Sequence, residues 1–268
     1  MLIILEMKPV HGTLLWLSSL LLTVVTQVGT LNAAVIYSGN GDTSFNGAVG
    51  NGSLALNDDG TTVSGTFSRG TSGNFNDSLV IYIDSVSGGF TSTSGFTDTA
   101  DALRRSISGY NGGTDRSTAN FVSGFTANYA IALGVNGPNF GGLWGLVGSG
   151  SHNFISSVNL SPANIPGNTT FGFSFTWAQI GLTANTAGNA FNIQSRYISG
   201  TGFGSLETFE DFSSGSTGYN PVTFSTSDTY LTAVPEPTNI ALGAFGLVLL
   251  FGGVWRHLRQ LLSPSSRG

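Results

Sequence analysis

The side chains able to do chemistry are few, and most are carboxylates. Asp77 and Asp84 flank an apolar run, and Glu207, Glu210 and Asp211 crowd together further on. A glycoside hydrolase needs an acid and a base roughly 5–10 Å apart. Asp77 and Asp84 lie seven positions apart, an odd number, so a regular strand sends them to opposite faces. Glu207-Thr-Phe-Glu210-Asp211 reads as an acidic, solvent-facing segment. Oxygen ligands in loops suit calcium, and Asp77 and Asp84 are the candidate metal positions, although no EF-hand loop is present. His152 is the one histidine between the two ends, so a Ser–His–Asp triad or a multi-histidine metal site would rest on it alone. Beside Ser151 and Asn153 it reads as a solvated loop histidine. No Gly-x-Ser-x-Gly elbow, His-Glu-x-x-His helix or phosphate loop occurs. A sugar would need an exposed ring beside hydrogen-bonding groups. Tyr110 and Tyr219, in Gly- and Asn-rich loops, are candidates, as is Trp144, whose apolar neighbours also suit a buried place.

Composition narrows the field further. Of 268 residues, 39 are glycine, none is cysteine and only 9% are charged, against roughly 25% in an average soluble chain. Without cysteine, disulfides, thiol catalysis and thiolate-bound metals are excluded. Nine basic residues against fourteen acidic ones leave a net charge of −5, which argues against a nucleic-acid partner. Hydrophobic residues make up 40% of the chain, enough to fill a core.

The two ends read as addresses. Leu14 to Val28 is a mostly apolar, uncharged run behind Lys8, followed by Asn32-Ala33-Ala34. A basic flank, a short apolar stretch and a small-residue exit make a secretory signal peptide over residues 1–34, cut after Ala33 or Ala34. Met7-Lys8 offers an alternative start with a better n-region than Met1 to Glu6. At the other end, 239–255 is uncharged and long enough for a membrane helix. Arg256 and Arg259 follow as a membrane stop, and 261–268 reads as a basic cytoplasmic tail. Just ahead stands Val234-Pro235-Glu236-Pro237-Thr238, in which two prolines hold an extended segment clear of the bilayer. This order of motif, span and arginines, over 234–260, resembles the PEP-CTERM sorting signal. The resemblance implies a membrane-embedded exosortase-type protease as partner, a membrane-bound stage before processing, a Gram-negative bacterial source and delivery to the cell surface. It also implies an association with exopolysaccharide.

Between these ends, residues 35–233 hold five arginines, no lysine and twelve acidic residues, a net charge of −7. Period-two patterning dominates. Phe171, Phe173, Phe175 and Trp177 occupy alternate positions; Leu79, Ile81 and Ile83 alternate with Val80, Tyr82 and Asp84. Tyr129, Ile131 and Leu133 form a third such set, and Phe191, Ile193 and Tyr197 lie opposite Asn192, Gln194 and Arg196. Leu54 to Phe67 reads as a hairpin about Asp59-Gly60. Further strands are expected at 34–38, 119–124, 142–148, 153–160 and 228–233. One helix is expected over Asp98–Ile107, capped by Asp98 and stopped by Gly109. The pattern is an all-β, jelly-roll-like antiparallel β-sandwich with one short helix. Asn76 to Asp84 and the passage from Phe171 to 199 resemble DOMON-like sandwiches, which include family-nine carbohydrate-binding modules. That likeness supports the fold, and the paired tryptophans of sugar-binding members have no counterpart here. The expected function is a non-catalytic glycan-interaction or structural module without a required cofactor. The alternative is a carboxylate-dependent glycoside hydrolase or polysaccharide lyase.

Overall fold

The computed structural model describes residues 33–134, 141–158, 165–184, 186, 188–232 and six positions between 246 and 255. The chain divides into two units, Asn32–Ala233 and Met1–Leu31 with Val234–Gly268. Of the second, only Gly246, Leu250, Phe251, Gly253, Val254 and Trp255 are described, and all are helical. The apolar run of the expected signal peptide, the Pro235-Glu236-Pro237 motif, Arg256 and Arg259 lie outside the described residues. Among the described residues no helix is long and apolar enough to cross a membrane.

The first unit is mostly β. It runs β1 (Val35–Ser38), β2 (Ser53–Asp58), β3 (Thr62–Ser68), β4 (Ser78–Asp84), α1 (Ala102–Ser108), β5 (Tyr110–Gly112), β6 (Asp115–Arg116) and β7 (Ala119–Asn120). There follow β8 (Tyr129–Gly134), β9 (Gly141–Gly145), β10 (Asn153–Ser157), β11 (Thr170–Thr176), β12 (Ala190–Ile198), β13 (Phe212–Ser214), β14 (Val222–Phe224) and β15 (Asp228–Leu231). A 3-10 turn at Trp177–Ile180 follows β11. One antiparallel sheet has the order β1-β2-β3-β11, and a second has β10-β9-β8-β4-β12-β15. A three-stranded sheet, β13-β14-β7, and the β5-β6 ribbon complete the set.

The two large sheets share one core. Leu54, Leu56, Val63, Phe67, Phe171, Phe173 and Phe175 from the first meet Leu79, Ile81, Ile83, Ile131, Phe191 and Ile193 from the second. Trp177, beyond the strand end, still closes this core and is fully buried. The expected aromatic face is therefore real, and its rings interlock: Phe67 lies 5.7 Å from Phe171 and 5.1 Å from Phe75. Space for Phe173 comes from Gly65, its cross-strand partner. A Cβ on Gly65 would stand 2.1 Å from the Phe173 ring. Gly65→Ala is thus expected to cost about 1–3 kcal/mol through overpacking. Urea denaturation should show a lower midpoint at unchanged slope.

The sequence pattern does not reveal that the six-stranded sheet is covered on its other face too. Val80, Tyr82, Ala130, Ala132, Trp144 and Ile198 pack there against Leu103 and Ile107 of α1 and against Phe121, Phe125, Val222 and Phe224. Both faces of β4 are therefore apolar, and all of Ser78–Ile83 is buried. The α1 boundary needs correction. Asp101, not Asp98, caps the helix, with its side chain accepting from the Arg104 amide. Asp98 is instead buried, accepting from the His152 amide at 2.7 Å and facing Arg104 Nε at 3.3 Å. Gly109 ends the helix in the left-handed region, at φ 57°, as glycine permits. Several expected strands are shorter than their apolar runs: β7 keeps two residues of 119–124, and β9 ends at Gly145.

Candidate functional site

Loops at the end where β4 begins and β12 finishes carry a half-exposed aromatic ledge. Phe203 follows β12 and is 38% exposed. It stacks on Phe45, ring centroids 6.1 Å apart and 11° from parallel, and meets Tyr219 edge-on at 5.4 Å. Phe45 in turn stands edge-on to the buried Tyr197 at 5.6 Å, which ties the ledge to the core. Hydroxyls and amides flank it: Tyr219 Oη donates to the Thr201 carbonyl, and the Ser199 and Thr201 hydroxyls share a bond of 2.7 Å. A flat ring with polar groups around it is what a sugar ring stacks on.

Buried charge holds these loops in place. Glu207 is fully buried, and its carboxylate accepts four backbone N–H groups. Oε1 takes Phe45 at 2.7 Å and Gly47 at 2.8 Å; Oε2 takes Val49 at 2.8 Å and Gly50 at 3.2 Å. The 42–50 loop is wrapped around one carboxylate as an anion nest, and that wrapping sets where Phe45 points. On the other side Arg196, 1% exposed, donates to the carbonyls of Ser117 at 3.0 Å and Ser205 at 3.3 Å. Burial lowers its pKa to about 10, so it remains a cation near neutrality. Gly204 lies against the guanidinium; a Cβ there would stand 1.9 Å from Nη2. Gly204→Ala should therefore displace Phe203 and its loop, read as exposure of the buried Ser205 amide in hydrogen exchange.

The solvent-facing reading of Glu207 and Glu210 is thus wrong. Only Asp211 of that segment is exposed. Glu210 is 3% exposed, and burial pushes its carboxyl up to about 7. Its Oε2 accepts from the Ser195 amide and hydroxyl, both at 2.8 Å, and Oε1 has no partner. Neither acid faces a cleft where a glycosidic bond could lie.

The solvated reading of His152 is also wrong. The ring is 2% exposed and packs edge-on against Phe96 at 5.0 Å; burial lowers its pKa to about 4. Nδ1 accepts the Val147 amide at 3.2 Å, so the ring proton sits on Nε2 and points to Ser108 Oγ, 3.2 Å away. Such a histidine cannot take a proton from Ser108. Asp98 reaches the His152 main chain rather than the ring, so the three do not make a triad.

The remaining expected positions scatter. Tyr110 is half-buried, with the Arg116 guanidinium 4.1 Å above its ring. Trp144 is 1% exposed, folded over Gly142 and edge-on to Phe154, so it offers no platform. Tyr219 is the one of the three that joins the ledge. Asp77 and Asp84 stand at opposite ends of β4, roughly 20 Å apart at ~3.3 Å per residue, and cannot share one calcium ion. Burial and the nearby Glu207 charge raise the Asp77 pKa. Among the described residues no group of three or more acidic or histidine side chains is placed to hold a metal.

The body's guanidiniums are committed internally. Arg69 donates to the carbonyls of Asn168, Gly70, Gly73 and Gly167; Arg105 to Gly200 and Thr99; Arg116 to Thr93 and Phe96. Arg104 pairs with Asp98 and Asp101. Positive charge here staples loops rather than awaiting an anion. No family model, curated protein or solved structure matches the chain.

Proposed function

We propose that the protein is an exported, exosortase-sorted surface or matrix module that binds glycan without catalysis. Its body is read as a β-sandwich of jelly-roll type, since two sheets share one core and the chain crosses between them at β3–β4, β10–β11 and β11–β12. The observation that carries the sorting reading is the order of Pro235-Glu236-Pro237, the apolar 239–255 run, Arg256 and Arg259. The fold supports it. Among the described residues of the body, the last strand ends at Leu231 and the Thr232 amide makes a backbone bond to Asn189, just ahead of the motif. A cut at Pro235–Pro237 would fall beyond every described strand and core residue of the body.

The ledge supports the glycan reading. Phe203→Ala is expected to weaken glycan binding about tenfold, since an oriented ring contact plus its lost area is worth roughly 1–2 kcal/mol. A glycan array with the full chain in a non-sugar detergent, with and without calcium, tests this. Equal binding by wild type and Phe203→Ala would remove the ledge from the account, and silence throughout would remove glycan binding. Replacing both motif prolines, Pro235→Ala with Pro237→Ala, should leave the uncut chain in the membrane fraction.

A further inference from the structure

A second polar feature lies at the far end of the same sheet. Where β4 ends and β12 begins, a cleft of about 320 Å³ opens between the 84–87 turn, the 124–126 loop and Ala190–Asn192. That volume falls at the lower limit of small-molecule sites, ~300–1,000 Å³, and fits a single sugar-sized ring rather than a chain. Its polar groups are Asp84, Ser85, Ser87, Thr126 and Asn192, and Phe191 also lines it.

The bonding within the cleft leaves specific capacity. Asp84 accepts from the Thr126 amide at 3.2 Å and its hydroxyl at 3.5 Å, one long contact per oxygen, so lone pairs on both oxygens remain. Asn192 Oδ1 takes the Thr229 hydroxyl at 2.7 Å, which turns its amide NH₂ away from Thr229 as a donor. Ser85 Oγ donates to the Ile180 carbonyl at 2.6 Å, leaving its oxygen to accept. Ser87 is exposed. Acceptors, a donor and a rotatable hydroxyl within one cleft match vicinal hydroxyls, each of which both donates and accepts. Among the described residues no basic side chain lines the cleft, and the body as a whole carries a net charge of −7.

We propose that this cleft is a second ligand site, for one uncharged or amino-bearing sugar ring, and that uronate and phosphate esters are rejected by Asp84. This rests on the glycan reading above and extends it. The ledge is tied to the start of β4 through Tyr197 Oη, which accepts from the Asn76 and Asp77 amides, whereas Asp84 closes that strand. Two sites at opposite ends of a rigid strand, roughly 20 Å apart by its rise, would let one molecule bridge two glycan chains.

The test is saturation-transfer NMR on the full chain in a non-sugar detergent, with glucose, glucosamine, glucuronate and calcium chloride as separate probes. Ser87→Phe fills the cleft from an exposed turn, Asn192→Ala removes the donor, and Phe203→Ala removes the ledge. Glucose and glucosamine should give transfer in wild type and in Phe203→Ala. The signal should fall at least fivefold in Ser87→Phe and Asn192→Ala, with glucuronate silent. Transfer that survives in Ser87→Phe but vanishes in Phe203→Ala would overturn the second site while leaving the ledge. Calcium binding lost in Ser87→Phe, with no sugar signal, would also overturn it. No transfer from any sugar, with the array still positive, would reject the cleft but not the glycan reading.

Discussion

Glu207→Ala is expected to lower the stability of the body by about 3–5 kcal/mol. Four N–H groups, three of them buried, lose their acceptor at once, each unmet buried donor costing ~1–3 kcal/mol before the loop relaxes toward water. Glu207→Gln should recover only part of this. One of its two terminal atoms becomes an NH₂ facing two N–H donors, so half the nest is left unpaired. The urea midpoint should fall in the order wild type, Gln, Ala. Hydrogen exchange should localise the damage to the amides of Phe45, Gly47, Val49 and Gly50. Glycan binding should weaken in parallel, since the same amides hold Phe45 beneath Phe203. A change under 0.5 kcal/mol, as expected of a surface acid, would mean that Glu207 is solvated.

The second large effect is a pair of opposed pH dependences. Thr208 Oγ1 donates its single proton to the Ser195 carbonyl at 2.6 Å, yet also contacts Glu210 Oε2 and accepts the Glu210 amide at 3.3 Å. A proton on Glu210 completes that set, in keeping with burial raising its pKa to about 7. A carboxyl raised on folding stabilises fully below its unfolded value near 4.5, and the gain is lost as pH rises through 7. His152 acts in the other direction. Its pKa falls to about 4 on burial, so its contribution is present above 6.5 and lost as pH falls through 4. Each amounts to about 3 kcal/mol, and the two windows overlap between pH 4.5 and 6.5, where they nearly cancel. Between 6.5 and 7.5 Glu210 acts alone, and stability should decline. Glu210→Gln should abolish that decline, leaving stability that rises from pH 4 to 6.5. His152→Asn should show the converse, falling steadily from pH 4.5 to 7.5. Parallel pH profiles of wild type and Glu210→Gln in thermal denaturation would contradict the buried neutral acid.

Local rules made the strands legible. Alternating Phe171, Phe173 and Phe175, the Asp59-Gly60 turn and the Gly109 stop all depend on neighbours within a few residues, and each stands where the pattern puts it. What failed was set by distant partners. Glu207 looks like a surface acid because its ligands are main-chain amides 157 to 162 residues away, which have no side-chain signature. His152 is buried by Phe96 and Ser108, and nothing beside it in sequence signals that. The ledge unites Phe45, Phe203 and Tyr219 from three Gly-rich loops, so only Tyr219 could be singled out, by its loop setting. Trp144 among apolar neighbours was readable as buried, but its covering layer was not. The second core exists because α1 and the β7 and β14 segments fold back over the six-stranded sheet.

Intact-mass analysis of the protein recovered from outside the cell separates a sorted chain from a retained one. The expected chain begins after Ala33 or Ala34, ends between Ala233 and Thr238, and lacks the 239–268 tail. Recovery of the uncut polypeptide from the soluble cell interior, with both apolar ends still attached, would contradict it.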